Sequence, residues 1–168
     1  MPGSEQVLTV ETYWDGPKTG VATFKGEAHA YECVFDDRLD EWSWFYLLKP
    51  IDPGTLKLVK ERWQIWLRWE EAPQTGRTTM STHPALPEDR PRWMELMRIL
   101  DSKLEVPASS DLAANGEFER LGPPGASEPW VVVWTTLDRA SLGHVSRVGS
   151  FLRSPDIDPD LYQRRYEE

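Results

Sequence analysis

The stretch from Asp52 to Ala72, DPGTLKLVKERWQIWLRWEEA, constrains this chain more than any other. Asp52 offers a side-chain acceptor to the unpaired amides of a helix N-terminus, and Pro53 has no amide hydrogen to leave unpaired there. The residues that follow repeat with a 3.6-residue period and predict a helix of about five turns. At about 100° per residue, Lys57, Lys60, Glu61, Gln64, Arg68 and Glu71 share one narrow arc. Leu56, Leu58, Val59, Trp63, Ile65, Trp66, Leu67 and Trp69 take most of the remainder. A helix apolar over more than half its girth needs cover on two sides.

The flanking segments supply that cover. Val7–Trp14, Val21–Phe24, Ala28–Phe35 and Trp44–Leu48 alternate or are rich in β-formers, and short turns at Asp15-Gly16-Pro17, Lys25-Gly26 and Asp36-Asp37-Arg38 separate them. Such spacing favours an antiparallel meander, because parallel neighbours require long crossovers. In the third of these segments His29, Tyr31, Cys33 and Phe35 fall on one face, and Ala28, Ala30, Glu32 and Val34 on the other. Glu88–Leu104 carries Trp93, Leu96, Met97, Leu100 and Leu104 on one stripe and predicts a second helix. Pro73–Pro87 between the helices is a long, proline-punctuated connection. Pro107–Asn115 reads equally as helix or coil, and Phe118–Leu121 as a short strand. WVVVWTT, Trp130–Thr136, is apolar on both faces and belongs in the middle of a sheet. The expected fold is α+β: an antiparallel sheet of four to six strands packed on a Trp-rich central helix, with a second helix covering it. One domain over residues 1–152 and an extended or partly disordered tail over 153–168 complete the expectation, since 168 residues suffice for one substantial core.

Charge narrows the partners. Twenty-eight Asp and Glu against 19 Lys and Arg give a net charge of -9, which repels nucleic acid and anionic lipid, and no basic patch offsets it. Neither nucleic acid nor membrane is therefore expected as a partner. The single cysteine, Cys33, suits a reducing compartment, and the cytoplasm is the expected location. Phosphate-binding glycine loops, zinc-protease and nucleophile-elbow motifs and paired-cysteine motifs are all missing, so no cofactor and no metal is expected.

Two groups of residues stand out. Trp14, Trp42 and Trp44 sit beside turns among Asp15, Asp36, Asp37, Asp40 and Glu41, and aromatics in an acidic rim form the kind of patch that receives a basic protein. The bland alternative is a solvated hairpin end with ordinary edge packing. Asp36, Asp37, Asp40 and Glu41 do not keep calcium-loop spacing. The second group begins with Arg62 and Glu70, which fall in the apolar arc of the helix and so require partners. Either each makes a structural ion pair, with a residue such as Glu32 or Arg92, or both join His29, Tyr31 and His83 in a polar pocket with a catalytic or ligand-binding role.

Two segments also resemble an uncharacterised bacterial protein family. One is Tyr13-Trp14-Asp15-Gly16-Pro17 running through Gly20-Val21-Ala22 to His29, Tyr31 and Cys33. The other is the helix core Trp63-Gln64-Ile65-Trp66-Leu67-Arg68-Trp69-Glu70 with His83-Pro84-Ala85-Leu86-Pro87 after it. The resemblance spans about residues 10 to 100 and implies a bacterial cytoplasmic domain; no catalytic role comes with it. Three functional classes follow. The first is a non-catalytic acidic module for a basic protein partner, of the immunity or inhibitor kind. The second is a small enzyme or ligand binder built on His29, Tyr31, Arg62, Glu70 and His83. The third is an assembly component, homodimeric through Trp130–Thr136 or the tail.

Overall fold

The computed structural model describes residues 3–37, 39–122, 129–138 and 140. Within these residues six strands follow one another antiparallel: β1 (Glu5–Tyr13), β2 (Pro17–Phe24), β3 (Glu27–Asp36), β4 (Glu41–Pro50), β5 (Ala113–Arg120) and β6 (Trp130–Leu137). β1 then pairs with β6 and closes the sheet into a barrel. Helices α1 (Pro53–Glu71) and α2 (Arg90–Leu104) lie between β4 and β5 in the chain and pack on the outer wall. The tail expected over 153–168 falls outside the described residues.

Closure gives the sheet a core of its own. Tyr31, Cys33, Tyr46, Leu48, Ala114 and Val132 meet inside the barrel, with Phe118 and Trp134 packed against them. The opposite faces of the same strands present Val21, Ala30, Val34, Phe45 and Leu47 outward, where Val59, Ile65, Leu96, Leu100 and Val106 cover them. Lys25 and Gly26 make the two-residue β2–β3 turn with φ of 53° and 79°, the left-handed pair that matches the twist of a tight hairpin. Register shifts within β1 and between β3 and β4 mark bulges, which bend strands and let a six-stranded sheet curl shut.

The expected antiparallel sheet of four to six strands on a Trp-rich central helix is thus corrected. The molecule is a closed six-stranded antiparallel barrel packed against two helices, and its aromatic centre lies within the barrel. Trp42, Trp44, Trp130 and Trp134 stand in strands. The physical reason is that α1 needs cover on two sides but need not lie at the middle. The outer barrel wall covers one side, and α2 with the Pro73–Pro87 connection covers the other. β5 begins at Ala113, inside a segment read as helix or coil, so the bridge that joins β4 to β6 has a sequence poor in β-formers, AANGEFER.

The ends of α1 behave as capping chemistry requires. Asp52 Oδ1 accepts from the Thr55 amide at 2.9 Å and Oδ2 from the Thr55 hydroxyl at 2.6 Å. These donors hold the Asp52 carboxyl below the ordinary range. Near the other end, Trp69 Nε1 donates to Thr82 Oγ1 at 3.0 Å, and the His83 ring stands edge-on to the Trp69 ring at 4.6 Å. Arg68 makes a two-pronged ion pair with Asp89, at 2.9 and 3.1 Å. Arg90 donates to the carbonyls of Thr82 and His83. The long connection is therefore pinned to the helix. Lys49 closes the layer by donating to the carbonyls of Lys103 and Glu105, at the end of α2.

Candidate functional site

Antiparallel order places the β1–β2 and β3–β4 turns at the same end of the barrel. The first turn carries Trp14, Asp15 and Gly16, with φ of 49° at Asp15 and 110° at Gly16, and the Trp14 amide donates across it to the Gly16 carbonyl at 3.0 Å. The second carries Asp37, Leu39 and Asp40 and leads into Glu41, Trp42 and Trp44. Of the residues expected to bind a protein, Trp14, Asp15, Asp37, Asp40, Glu41 and Trp44 are exposed here. Asp36 and Trp42 are half-buried. Trp42 turns inward, edge-on to Phe35 at 5.2 Å and under the Lys18 ammonium at 5.4 Å.

The end is also open. β4 and β5 pair only from Phe45–Asn115 to Leu47–Ala113, so Gly116–Arg120 diverges from the upper part of β4. A cavity of about 340 Å³ occupies the divergence, lined by Tyr13, Asp15, Gly16, Pro17, Tyr46, Gly116, Phe118 and Trp130. Gly116 is there because a Cβ would meet the Trp134 ring at 2.6 Å and the Phe118 ring at 2.9 Å. Tyr46 forms the floor, its hydroxyl donating to the Pro17 carbonyl at 2.9 Å. Tyr13 and Trp130 pack against each other with ring centres 6.0 Å apart and planes tilted by 53°, and the Arg120 guanidinium lies 4.8 Å over the Trp130 ring.

Lys18 is the residue that sequence reasoning missed. On β2 it alternates with Gly20, Ala22 and Phe24, and Ala22 and Phe24 belong to the interior cluster. That period was the available signal, but the strand was expected to start at Val21. Lys18 is only 7% exposed, and among the described residues no carboxylate lies within ion-pairing distance of its ammonium. Its ammonium lies 5.4 Å from the centre of the Trp42 ring, a cation–π contact.

Cys33 lies next to this group, with Sγ donating to the Ser43 carbonyl at 3.3 Å. Burial pushes its thiol up to about 11, although the Lys18 charge pulls the other way. Burial likewise raises the hydroxyls of Tyr31 and Tyr46. A group whose folded pKa is raised contributes stability that is intact below the unfolded value and lost as pH rises towards the folded one. Stability is therefore expected to fall between about pH 9 and pH 11, which urea melts across that range will check, and native Cys33 should resist iodoacetamide at pH 8 until denaturant is added. A Cys33→Ala variant should lose a measurable part of the alkaline slope. At the acid side the sign reverses for His83, whose pKa is lowered by burial and then by Arg90, so acidification below about 6.5 destabilises through it.

The five residues considered for a catalytic pocket do not converge. His29 and Tyr31 point into the barrel, where the His29 ring lies 5.4 Å from Phe24 and the Tyr31 hydroxyl donates to the Thr9 carbonyl at 3.1 Å. Arg62, Glu70 and His83 belong to the helical layer outside the wall. Glu70 is buried near the end of α1, and His83 packs on Trp69. Arg62 pairs at 2.6 Å with Glu11 of β1 and donates to Met97 Sδ at 3.4 Å. Glu32, the carboxylate expected for it, is not the partner it finds, and Arg92, expected to serve Glu70, holds Glu61 with two bonds. The outward face of β1 supplies the counter-ion because its bulges turn Glu11 towards the helix.

Glu11 is 28% exposed against 7% for Arg62, so the pair is screened on one side. Glu11→Gln is expected to cost about 1 to 3 kcal/mol by leaving a buried guanidinium with only a neutral acceptor. Adding Arg62→Met should recover most of that loss in denaturant melts. No recovery would mean that Arg62 acts chiefly through other contacts.

Among the described residues no group of three His, Cys, Asp or Glu is placed to hold a metal ion, and no helix is long and apolar enough to cross a membrane. Pairing with β1 and β5 occupies both edges of β6 at Trp130–Val132, which removes that part of the strand from pairing between chains. In comparisons with known proteins, no family model, no curated protein and no solved structure matches the chain.

Proposed function

We propose that this chain is a non-catalytic binding module, of the immunity or inhibitor kind, that offers the hairpin end of its barrel to a basic protein. The observation that carries the reading is the exposure of three large apolar side chains at that one end. Trp14 is 48% exposed, Leu39 66% and Trp44 61%, amid the carboxylates of Asp15, Asp37, Asp40 and Glu41. Aromatics surrounded by charge supply affinity, and the acidic rim steers a partner of opposite sign. The net charge of -9 acts in the same direction at longer range. A buried, free Cys33 fits a reducing cytoplasm, where we place the protein.

The test is affinity capture from bacterial lysate with the wild-type chain, Trp44→Ala and the pair Asp37→Lys, Asp40→Lys, followed by mass spectrometry. The expected result is a basic protein held by the wild type, lost in both variants and released as salt rises. Capture of the same proteins by all three chains, or of an acidic partner, would sink the reading. Sedimentation of the wild type and of Trp44→Ala separates a foreign partner from a second copy of this chain.

A further inference from the structure

We infer that the cavity at the hairpin end receives an arginine side chain of the basic partner, with the Asp15 carboxylate as its counter-charge and Tyr13, Tyr46, Phe118 and Trp130 around it. The occupant rests on the protein-binding reading; the preference of the cavity for a cation does not. Three observations meet at this one place: the charge of the lining, its aromatic residues and its position beside an exposed tryptophan.

Asp15 is the one charged residue of the lining. It is exposed, and among the described residues no cation pairs with it. Asp37, Asp40 and Glu41 at the same end of the barrel and the net charge of -9 add potential of the same sign. Two cations are near, and neither lines the cavity: the Lys18 ammonium lies over Trp42, and the Arg120 guanidinium over Trp130. Their charges weigh against a third cation, but the carboxylates of this end outnumber them.

The aromatic residues select the kind of cation. Half of the lining is Tyr13, Tyr46, Phe118 and Trp130. Aromatic rings attract cations, and a planar guanidinium stacks on them and gives up its water more readily than an ammonium. Arg120 over Trp130 is an instance of that contact within the chain. A volume of about 340 Å³ is at the small end of ligand cavities, with room for one long side chain and not for a folded segment. Asp15 and Gly16 follow Trp14 in one turn, and Trp14 is 48% exposed, so a partner seated on that indole brings its side chains to the cavity.

The experiment compares a capped Gly-Arg-Gly peptide with its citrulline counterpart, which has nearly the same shape and no charge, titrated at low ionic strength into the isotope-labelled wild-type chain and followed by NMR. The arginine peptide is expected to bind at least about fivefold more tightly, with shifts gathered at the Gly16 and Gly116 amides and the Trp130 indole. In Asp15→Asn, which keeps the turn because asparagine also adopts the left-handed backbone found there, the preference should shrink to within about twofold. In capture from lysate the same variant should release the basic protein at lower salt than the wild type. Equal binding of the two peptides, shifts confined to other parts of the barrel, no saturable response at tens of millimolar, or an arginine preference that survives Asp15→Asn would each overturn the site, even where a basic protein is still captured. An arginine preference with no basic protein captured would instead overturn the partner, and with it the stated occupant. The wild-type comparison alone decides the matter if the variant fails to fold.

Discussion

Gly20→Ala is expected to destabilise the protein by about 3 to 5 kcal/mol, with a urea midpoint shifted far below that of the parent and an unchanged slope. A Cβ at position 20 would overlap the Thr9 carbonyl oxygen of the neighbouring strand and approach the Tyr31 hydroxyl at 2.6 Å. The first is backbone, so relief requires β1 to move away from β2, and overpacking of that kind costs about 1 to 3 kcal/mol or more. The second is one end of a buried hydrogen bond, since the Tyr31 hydroxyl donates to the same Thr9 carbonyl at 3.1 Å. Forcing the hydroxyl aside leaves two buried polar groups without each other, at about 1 to 3 kcal/mol. Thr9 is held from a second direction as well, because its Oγ1 accepts from the Val21 amide at 3.1 Å. A double-mutant cycle with Tyr31→Phe divides the two parts. Removing the hydroxyl should recover some of the loss and leave the backbone overlap in place. A cost below 1 kcal/mol for Gly20→Ala would show that the wall yields freely there, and would remove Tyr31 as a fixed brace across the barrel.

That prediction rests on closure, the feature least legible in the sequence. Local sequence pattern identified five of the six strands and the end of the remaining one, β5, and the face carrying His29, Tyr31 and Cys33 is the face that points inward. Closure depends on long-range geometry. The bulges of β1 are register shifts between two strands and leave no mark on either segment alone. β5 holds the wall together with Ala, Asn, Gly, Glu and Arg, residues whose β-propensity is poor but whose small members leave room for the Trp134 and Phe118 rings. Helix α1 was legible for the opposite reason. Its cap at Asp52, Pro53 and its 3.6-residue period are encoded within one turn of where they act. What its broad apolar arc did not disclose is that the second surface would be the outside of a barrel.

The site divided along the same line. The exposed tryptophans and carboxylates of the hairpin ends were readable because turns announce themselves through Asp, Gly and Pro. Arg62 and Glu70 were legible as covered charges from helical phase, and both are buried. Their relation to His29 and Tyr31 was not, since a barrel wall separates the two groups and nothing in helical phase reports a wall. Lys18 escaped notice because a strand was begun four residues too late. With β2 starting at Pro17, the same alternation carries a lysine onto the face that holds Ala22 and Phe24.

Trp69→Ala is expected to cost about 3 to 5 kcal/mol and to loosen the segment from Pro73 to Pro87 as well. The side chain is 1% exposed and packs with Trp66, Ala72 and Leu86, so truncation empties a volume that the surrounding rings cannot refill without moving. Cavity formation alone accounts for most of the loss. The remainder comes from polar contacts that reach the connection. Trp69 Nε1 donates to Thr82, which also bonds to Thr78, and the Trp69 ring holds His83 edge-on. Thr82 and His83 in turn present the carbonyls that Arg90 binds at the start of α2. One indole thus ties the end of α1 to the connection and, through it, to the next helix. Hydrogen exchange separates the two effects. In Trp69→Ala, the amides of Thr82, His83 and Ala85, which close short turns onto Thr79, Met80 and Thr82, should lose protection beyond the global decrease. Trp66→Ala is the control: it removes a buried indole from the same cluster, where the ring stacks on Trp63 at 4.7 Å, and it should lower global stability without that local signature. If both variants exchange alike along the connection, Trp69 is a filler of space and not the pin that holds the segment in place.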